Sequence, residues 1–544
     1  MSKNLIDRSI EAVAPAWAVE RVKSRTKLAA LSLLPALPEA TPAAGQSGAT
    51  MSALSEDNAP GGPTPARRWW RPLASDARTD TLRFLPDQRG KSRELSRTSP
   101  IAAGAINTNV DRIVGTGLAL SAQPNVAVLR WTPEQALAWK TLVQNEFSLW
   151  ADSTECDMEQ TLNFYQQQAL VLRGTLESGD LFTNLPDGQT TATQPYALRI
   201  QTLEADRVGN PLGQMDTAKI SGGVRLDDFG APSAFYIYDQ HPGGWLPGQS
   251  SNRFTGTWED RIGRSGRRRI LHHFRKLRPG MPRGVPYLAP IIDCIKQLSR
   301  YTEAEIMAAV VTAYLTVFIE SPPDSPSRVF GVDDKSPGDA KGELELKSGA
   351  VVTLYPGEKA QPVNPGRPNP NFGPFIEAVI TQIGMGLSLP RELLIKQFNA
   401  SYSASKAALL DAWVYFRSVR NWLALSFCQP IYETWLAEAV ATGRVPAPGF
   451  FTDPLMRWAY TRAAWPGDSM GSINPKDEVA AYSAAVDARF MTRERAEWEL
   501  FGTDWNDTFT QKEAEHKRLK SADMLPVPKA GAAAPGPVSK GDQP

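Results

Sequence analysis

Across 544 residues there are only three cysteines and four histidines. Cys156, Cys294 and Cys428 lie far apart and none opens a C-x-x-C, so neither a disulfide framework nor a zinc-type cluster is available. They read as buried thiols of a reducing compartment. No apolar run reaches the roughly eighteen residues that a membrane-spanning helix needs. The opening segment, MSKNLIDRSIEAVAPAWAVERVKSRTKLAALSLL, spreads its charges throughout and is a poor secretory signal, so a chain that stays in the cytoplasm until assembled is expected. No G-x-x-x-x-G-K-[ST], H-E-x-x-H or G-x-S-x-G occurs, which leaves the chain without a P-loop, a zincin helix or a nucleophile elbow. An excess of one charge is missing too: 59 Lys+Arg stand against 58 Asp+Glu. A protein that only coats nucleic acid is usually more basic, so any DNA contact here is local or lets the DNA slide.

With 42% hydrophobic and 22% charged residues the composition is that of an ordinary globular protein, and the order of elements below reads as an α+β chain. Residues 1–34 alternate apolar and charged positions like a short amphipathic helix. Residues 35–66 and 521–544, rich in Ala, Pro, Gly and Ser, read as a linker and a tail. Between them, 99–115 and 132–178 read as helices, and a β-rich region follows. It includes 196–208, the hairpin-like 223–239 with an Asp-Phe-Gly turn, and 269–278. The longest helical pattern is 287–320, with apolar residues from Leu288 to Val317 at 3–4 spacing; Pro290 to Phe318 would make a rod of ~43 Å. A Gly/Pro-rich stretch at 322–370 holds a strand signal at 350–356. Then come a helix at 372–387, a polar loop at 388–403, and a long helix carrying Leu409, Trp413, Phe416, Leu423, Phe427, Ile431 and Trp435 on one side. Pro430 should kink that helix. A last helical region spans about 475–520.

At the start of the long helix, Ser403-x-x-Lys406 has the spacing of a penicillin-recognising acyl enzyme, in which lysine helps deprotonate serine. S-x-N at 250–252 and K-S-G at 347–349 complete the set of triplets, but in the wrong order for those enzymes. The simpler reading is that Ser401 or Ser403 caps the helix by accepting a free backbone N–H. His272 and His273 adjoin on a strand and point to opposite faces, which is unsuitable for joint metal binding. Glu204 and Asp206 would share a strand face and could hold a metal or form ion pairs. Arg264, Arg267, Arg268, Arg269, Arg275, Lys276 and Arg278 cluster within fifteen residues. They suit either a solvated strand pair or subunit contact, or a phosphate-facing patch.

The phrases 101-IAAGAINTNVDRIVGTGL-118, 146-EFSLWADSTECD-157, 203-LEADRV-208, 236-YIYDQHPGG-244, 270–311 and 398-FNASYSASKAALLDAWVYFR-417, in this order, resemble the lambda-type portal proteins of tailed bacteriophages. The resemblance runs from about residue 95 to 515. It implies a homo-oligomeric ring, usually of twelve subunits, at one capsid vertex of the virion, with assembly in the host cytoplasm. Double-stranded DNA would pass through the ring, driven by a separate terminase motor that supplies ATP hydrolysis. Major capsid, scaffold and head–tail connector proteins would be further partners, and no cofactor or enzymatic activity is implied. By this resemblance 67–286 corresponds to the wing, 287–318 and 371–390 to stem helices, and 319–370 to the clip. Residues 391–404 would be the tunnel loop, 405–472 the kinked wing helix and the segment after it, and 473–520 the crown. Lys396, Gln397, Asn399, Ser401, Tyr402, Ser403 and Lys406 would be the DNA-proximal set. Clip residues Asp333, Asp334, Lys335, Lys341 and Glu343 would meet the terminase and later the connectors.

Overall fold

A computed structural model describes residues 75–244, 253–314, 318–320, 359–361, 371–398, 401–469, 475–501 and 505–522. The expected N-terminal helix and linker, the strand signal at 350–356 and nearly all of the C-terminal tail lie outside these residues.

Local signals set the first helices. α1 (Ala77–Thr98) and α2 (Pro100–Ile113) meet at Ser99, whose side chain accepts a hydrogen bond from Ala102 N. Pro100 takes the first helical position, where a missing N–H costs nothing. A short strand β1 (Ser121–Ala122) and the one-turn helix α3 (Val126–Leu129) follow. α4 (Pro133–Ala151) opens on a capping box of Thr132 and Gln135, and α5 (Phe164–Ser178) on one of Asn163 and Gln166. The helices expected over 99–115 and 132–178 are therefore present.

The β-rich region consists of β2 (Asp180–Asn184), β3 (Gln201–Glu204), β4 (Ile220–Ser221), β5 (Val224–Leu226), β6 (Pro232–Tyr238), β7 (Gly256–Asp260) and β8 (Ile270–Phe274). They form two antiparallel sheets, ordered β3-β2-β8 and β4-β5-β6-β7. The turn joining β5 to β6 is the expected one. Asp227 Oδ1 accepts hydrogen bonds from Phe229 N at 2.9 Å and Ala231 N at 2.7 Å, and Gly230 supplies the positive φ of 81°. Phe182 and Phe235, from different sheets, meet edge to face at 5.3 Å, with Leu203, Val224 and Ile270 buried around them.

The second half is a succession of helices. α6 (Ile292–Tyr314) is followed by β9 (Phe318–Glu320), β10 (Lys359–Gln361), α7 (Phe372–Leu387), α8 (Arg391–Ile395), α9 (Tyr402–Leu423) and α10 (Gln429–Ala441). After α11 (Pro454–Thr461), β11 (Ala463–Ala464) pairs with β1 and ties this half back to the first. α12 (Pro475–Asp487), α13 (Arg493–Phe501) and α14 (Trp505–Ser521) complete the described chain.

Three expectations are corrected here. The long helix begins at Ile292, after a 3-10 turn over Ala289–Ile291, and Phe318–Glu320 is extended. Its 23 residues make a rod of about 35 Å, shorter than expected. The 388–403 stretch is not all polar loop, because α8 buries Leu393 and Leu394. Pro430 sits in the first turn of α10, and the irregularity falls just before it, as a π turn over Ala424–Cys428. A proline cannot donate to the carbonyl four residues back and its ring crowds it, so the distortion accumulates on the N-terminal side.

The main core lies where α4, α5, α9 and α10 converge. Phe147 meets Trp435 edge to face at 5.1 Å, and Phe164 stacks on Phe427 at 5.7 Å. The apolar side read for the long helix points here: Phe416, Leu423, Phe427, Ile431 and Trp435 are buried, and Leu409 and Trp413 are half-buried.

A second organising feature is charged. Asp180, at the start of β2, is fully buried between Arg89 of α1 and Arg283, both at 2.5 Å, and His272 Nε2 lies 3.0 Å away. Arg283 also donates to the carbonyls of Val208, Gly222 and Ala205, and Arg89 to that of Ser178. Burial alone would raise the Asp180 pKa, but the Arg283 and Arg89 charges outweigh it and hold the carboxyl well below its usual range. Removing one member of such a buried network leaves the others uncompensated. Asp180→Ala is expected to destabilise the fold by about 3–5 kcal/mol, read as a drop in the urea midpoint.

Burial also pushes the His273 pKa down to about 3, helped by neighbouring His272. The folded chain therefore excludes a proton that the unfolded chain binds below about pH 6.5. Stability from His273 is full above that pH and is lost progressively toward pH 3. The unfolding free energy should fall as pH drops from 6.5 to 4.5, by at most about 1.4 kcal/mol per pH unit per histidine, seen as a lower urea midpoint. His273→Gln should flatten that dependence.

Candidate functional site

The segment joining α7 to α9 carries most of the residues read as DNA-proximal. α7 ends at Ser388, which adopts a left-handed conformation (φ 55°), and Leu389 N returns to Gly384 O at 3.0 Å. α8 anchors the next residues through Leu393 and Leu394 in the core, beside α2. Lys396 stops α8 in a second left-handed conformation (φ 53°). Lys396, Gln397 and Phe398 then stand exposed. Asn399 lies outside the described residues, as does the side chain of Tyr402.

Ser401 supplies the cap of α9: its Oγ accepts from Ala404 N at 3.4 Å. Of the two serines considered for that role, Ser401 fills it. Ser403 is exposed in the first turn. One turn on, Lys406 Nζ donates to Glu478 Oε1 of α12 at 3.1 Å. A lysine acting as base for Ser403 would instead direct its Nζ at the serine hydroxyl. Within the proposed DNA-proximal set, Lys396 and Lys406 thus differ: one is exposed, the other is engaged with a carboxylate of its own chain.

The basic run 264–278 is not one stripe. Arg267 pairs with Asp187, Arg268 with Glu433 at 3.5 Å, Arg269 with Glu259 at 3.1 Å and Arg278 with Asp80 at 2.5 Å. Arg275 lies over the Tyr415 ring at 5.7 Å, while Arg264 and Lys276 are exposed. Phosphate would have to compete with these carboxylates, although exposed pairs exchange readily. The five clip residues, Asp333, Asp334, Lys335, Lys341 and Glu343, lie outside the described residues. The insertion that carries them starts and ends on a described ladder, in which β9 pairs antiparallel with β10, Glu320 opposite Lys359 and Phe318 opposite Gln361.

Among the described residues no group of three or more His, Cys, Asp or Glu is placed to hold a metal. Glu204 and Asp206 do not share a strand face, because Asp206 falls in a 3-10 turn and is held by Arg93 and Arg89. His272 and His273 do diverge, the first toward Asp180 and the second toward Thr183 Oγ1 at 3.0 Å. Burial pushes the Cys156 thiol up to about 12 and Cys428 well above its ordinary value, so neither is a nucleophile. Cys294, expected to be buried, is half-buried.

The pattern of the lambda-family phage portal proteins matches residues 64–420, more than half of the chain. The chain belongs to the lambda family of phage portal proteins. Portal protein B of Escherichia phage lambda is 23% identical over 487 residues, covering 86% of this chain and 90% of that protein. The portal protein of Escherichia phage N15 is 23% identical over 499 residues, covering 88% and 92%. Among solved structures, a chain from the neck of the native GTA particle aligns with 75% of this chain and 92% of its own length, at 11% identity and a TM-score of 0.43. The family is structural and non-enzymatic, so Ser403-x-x-Lys406 is a helix start in a portal protein.

The Asp180 network was missed by sequence reasoning. An aspartate directly before Leu181 and Phe182 at the start of a strand is the one local signal for it. The Lys406–Glu478 pair gives no signal at all, because its partners are 72 positions apart. Ser401→Ala should lower stability by about 1 kcal/mol through the lost cap, seen as a lower thermal midpoint, whereas Ser403→Ala should leave the midpoint unchanged.

Proposed function

We propose that the chain is the subunit of a ring, of twelve copies in the usual family arrangement, that forms the DNA channel at one vertex of a phage capsid. The ring would nucleate procapsid assembly, pass DNA inward under a separate terminase motor, retain it, and release it on ejection. Lambda-family membership along most of the chain is the observation that carries this reading.

Two features support it. α6 and α7 pack on each other, with Tyr301 against Phe372 and Phe375 at 5.8 and 4.8 Å. Yet this pair leaves Ile306, Met307, Val310 and Met385 exposed, Met307 at 62%. An apolar stripe along a helix pair calls for a cover, and neighbouring copies in a ring supply one. On this reading α6 and α7 are the stem helices. Residues 391–404 are the tunnel loop, with Lys396, Gln397, Asn399, Ser401, Tyr402 and Ser403 nearest the DNA. Because each lysine–phosphate contact adds affinity through counterion release, a loop with few free charges lets the duplex slide. The β-rich region with its flanking helices is the wing, 319–370 is the clip that meets terminase and connectors, and α12 to α14 belong to the crown facing the capsid interior.

Native mass spectrometry and negative-stain images of the chain, co-expressed with capsid and scaffold proteins, test the ring. A symmetric ring with a central hole is expected, and a chain that stays monomeric under these conditions would overturn the reading. Met307→Asp or Val310→Asp should shift the population from rings to monomers without unfolding the chain, because both positions are exposed in the monomer.

A further inference from the structure

The β5–β6 hairpin presents a knob. Phe229 at its tip is 98% exposed, the most exposed large apolar residue described. Exposure of that order in a loose loop would carry little meaning, but this turn is built. Asp227 closes it through two hydrogen bonds to Phe229 N and Ala231 N, and the backbones of Asp227 and Ala231 pair at 2.9 Å. The aromatic ring is therefore held outward at low entropic cost. Beside it Asp228 is 81% exposed and shares only a solvated pair with Lys219 at 3.1 Å.

Elsewhere on the same chain lies a cavity of about 630 Å³ between the outer face of α10, α11 and the turn preceding β8. Ala437 and Ala441 line it together with the exposed rings of Phe451 and Trp458. Of the arginines that line it, Arg267 is paired with Asp187 and Arg268 with Glu433, which leaves Arg457 as the cation it offers a partner. Glu433 and Glu438 also line it, but both are engaged: Glu433 with Arg268, and Glu438 with the backbone N–H groups of Ala197 and Leu198. Arg457 reaches over the Phe450 ring at 5.5 Å. Small apolar side chains, two exposed aromatic rings and an uncommitted arginine in one cavity are complementary to a phenylalanine flanked by a carboxylate.

We propose that the Phe229 hairpin tip of one copy docks into this cavity on a neighbouring copy, with Asp228 facing Arg457. A knob and a socket on different surfaces of one chain make a head-to-tail contact, which closes into a ring when the rotation permits. This inference rests on the ring reading and adds a second contact, separate from the α6–α7 stripe.

Disulfide cross-linking tests it in the full chain co-expressed with capsid and scaffold proteins. Cys294→Ser removes the half-buried thiol, and one cysteine is then added at an exposed site, Ala231→Cys beside the intact Phe229 in one version and Ala441→Cys in another. Rings assembled from a mixture of the two versions should give cross-linked dimers on oxidation, and rings of either version alone should not. A chain carrying both cysteines should give a ladder of multimers. Rings that form but do not cross-link would overturn the contact and leave the ring standing. A double-cysteine chain that closes only on itself would overturn it too. Absence of rings from the wild-type chain is a separate result that strikes the ring reading itself. As a second measurement, Arg457→Glu should weaken ring formation and Asp228→Arg should restore it in the double variant. Failure of that rescue, with both single variants folded and weakened, would also count against the contact.

Discussion

A carboxylate with no access to water holds the first half of this molecule together. Asp180 opens β2, and its two oxygens are taken up by Arg89 from α1 and Arg283 from the segment leading into α6. Arg283 also gathers three carbonyls from two further segments, Ala205 and Val208 of the 3-10 turn after β3 and Gly222 between β4 and β5. The first helix, both sheets and the approach to the helix pair are thereby referred to one point. Such a network is weak evidence for net stability, since desolvating the ions offsets much of their attraction. What it imposes is geometry: any displacement of one segment leaves a buried charge unpaired, so the alternatives are excluded more sharply than apolar packing would exclude them.

Apolar packing, by contrast, positions the loop between α7 and α9. Leu393 and Leu394 anchor its first part in the core, while Lys396, Gln397, Phe398, Ser401 and Ser403 are exposed. Within that stretch Lys396 is the one basic residue, because Lys406 is committed to Glu478. The near-neutral composition seen across the whole chain is thus repeated locally, as the proposed sliding of DNA through the ring would require. The basic run 264–278 departs from a phosphate stripe for a similar reason: four of its arginines are occupied by carboxylates from distant segments.

Most of the helices and the hairpin were legible in the sequence because their signals are local. Ser99-Pro100, the Thr132 and Asn163 boxes and the Asp-Phe-Gly turn specify their own conformations within a few residues. Periodicity identified the buried side of α9 and α10 for the same reason. The misreadings come from tertiary effects. Extended backbone at Phe318 reflects pairing with Gln361, a partner across the whole insertion, which no helical period can reveal. α8 is too short for periodicity, and its two leucines gain their meaning from the core beneath them. The partners of Lys406 and of Asp180 likewise lie far along the chain, so neither pair was readable. Phrase-level similarity to the lambda family succeeded where single motifs failed, since Ser403-x-x-Lys406 fixes only two residues.

The three-residue ladder of β9 and β10 behaves like a collar. By fixing both ends of the segment between them side by side, it makes the distance that segment must bridge independent of its length. Loop-closure entropy then grows only slowly with added residues. A lineage could lengthen, shorten or exchange everything distal to the collar and leave the register of the helices below untouched. On the proposed reading, the segment that meets terminase and connectors is thus the one whose evolution the rest of the fold has least power to veto.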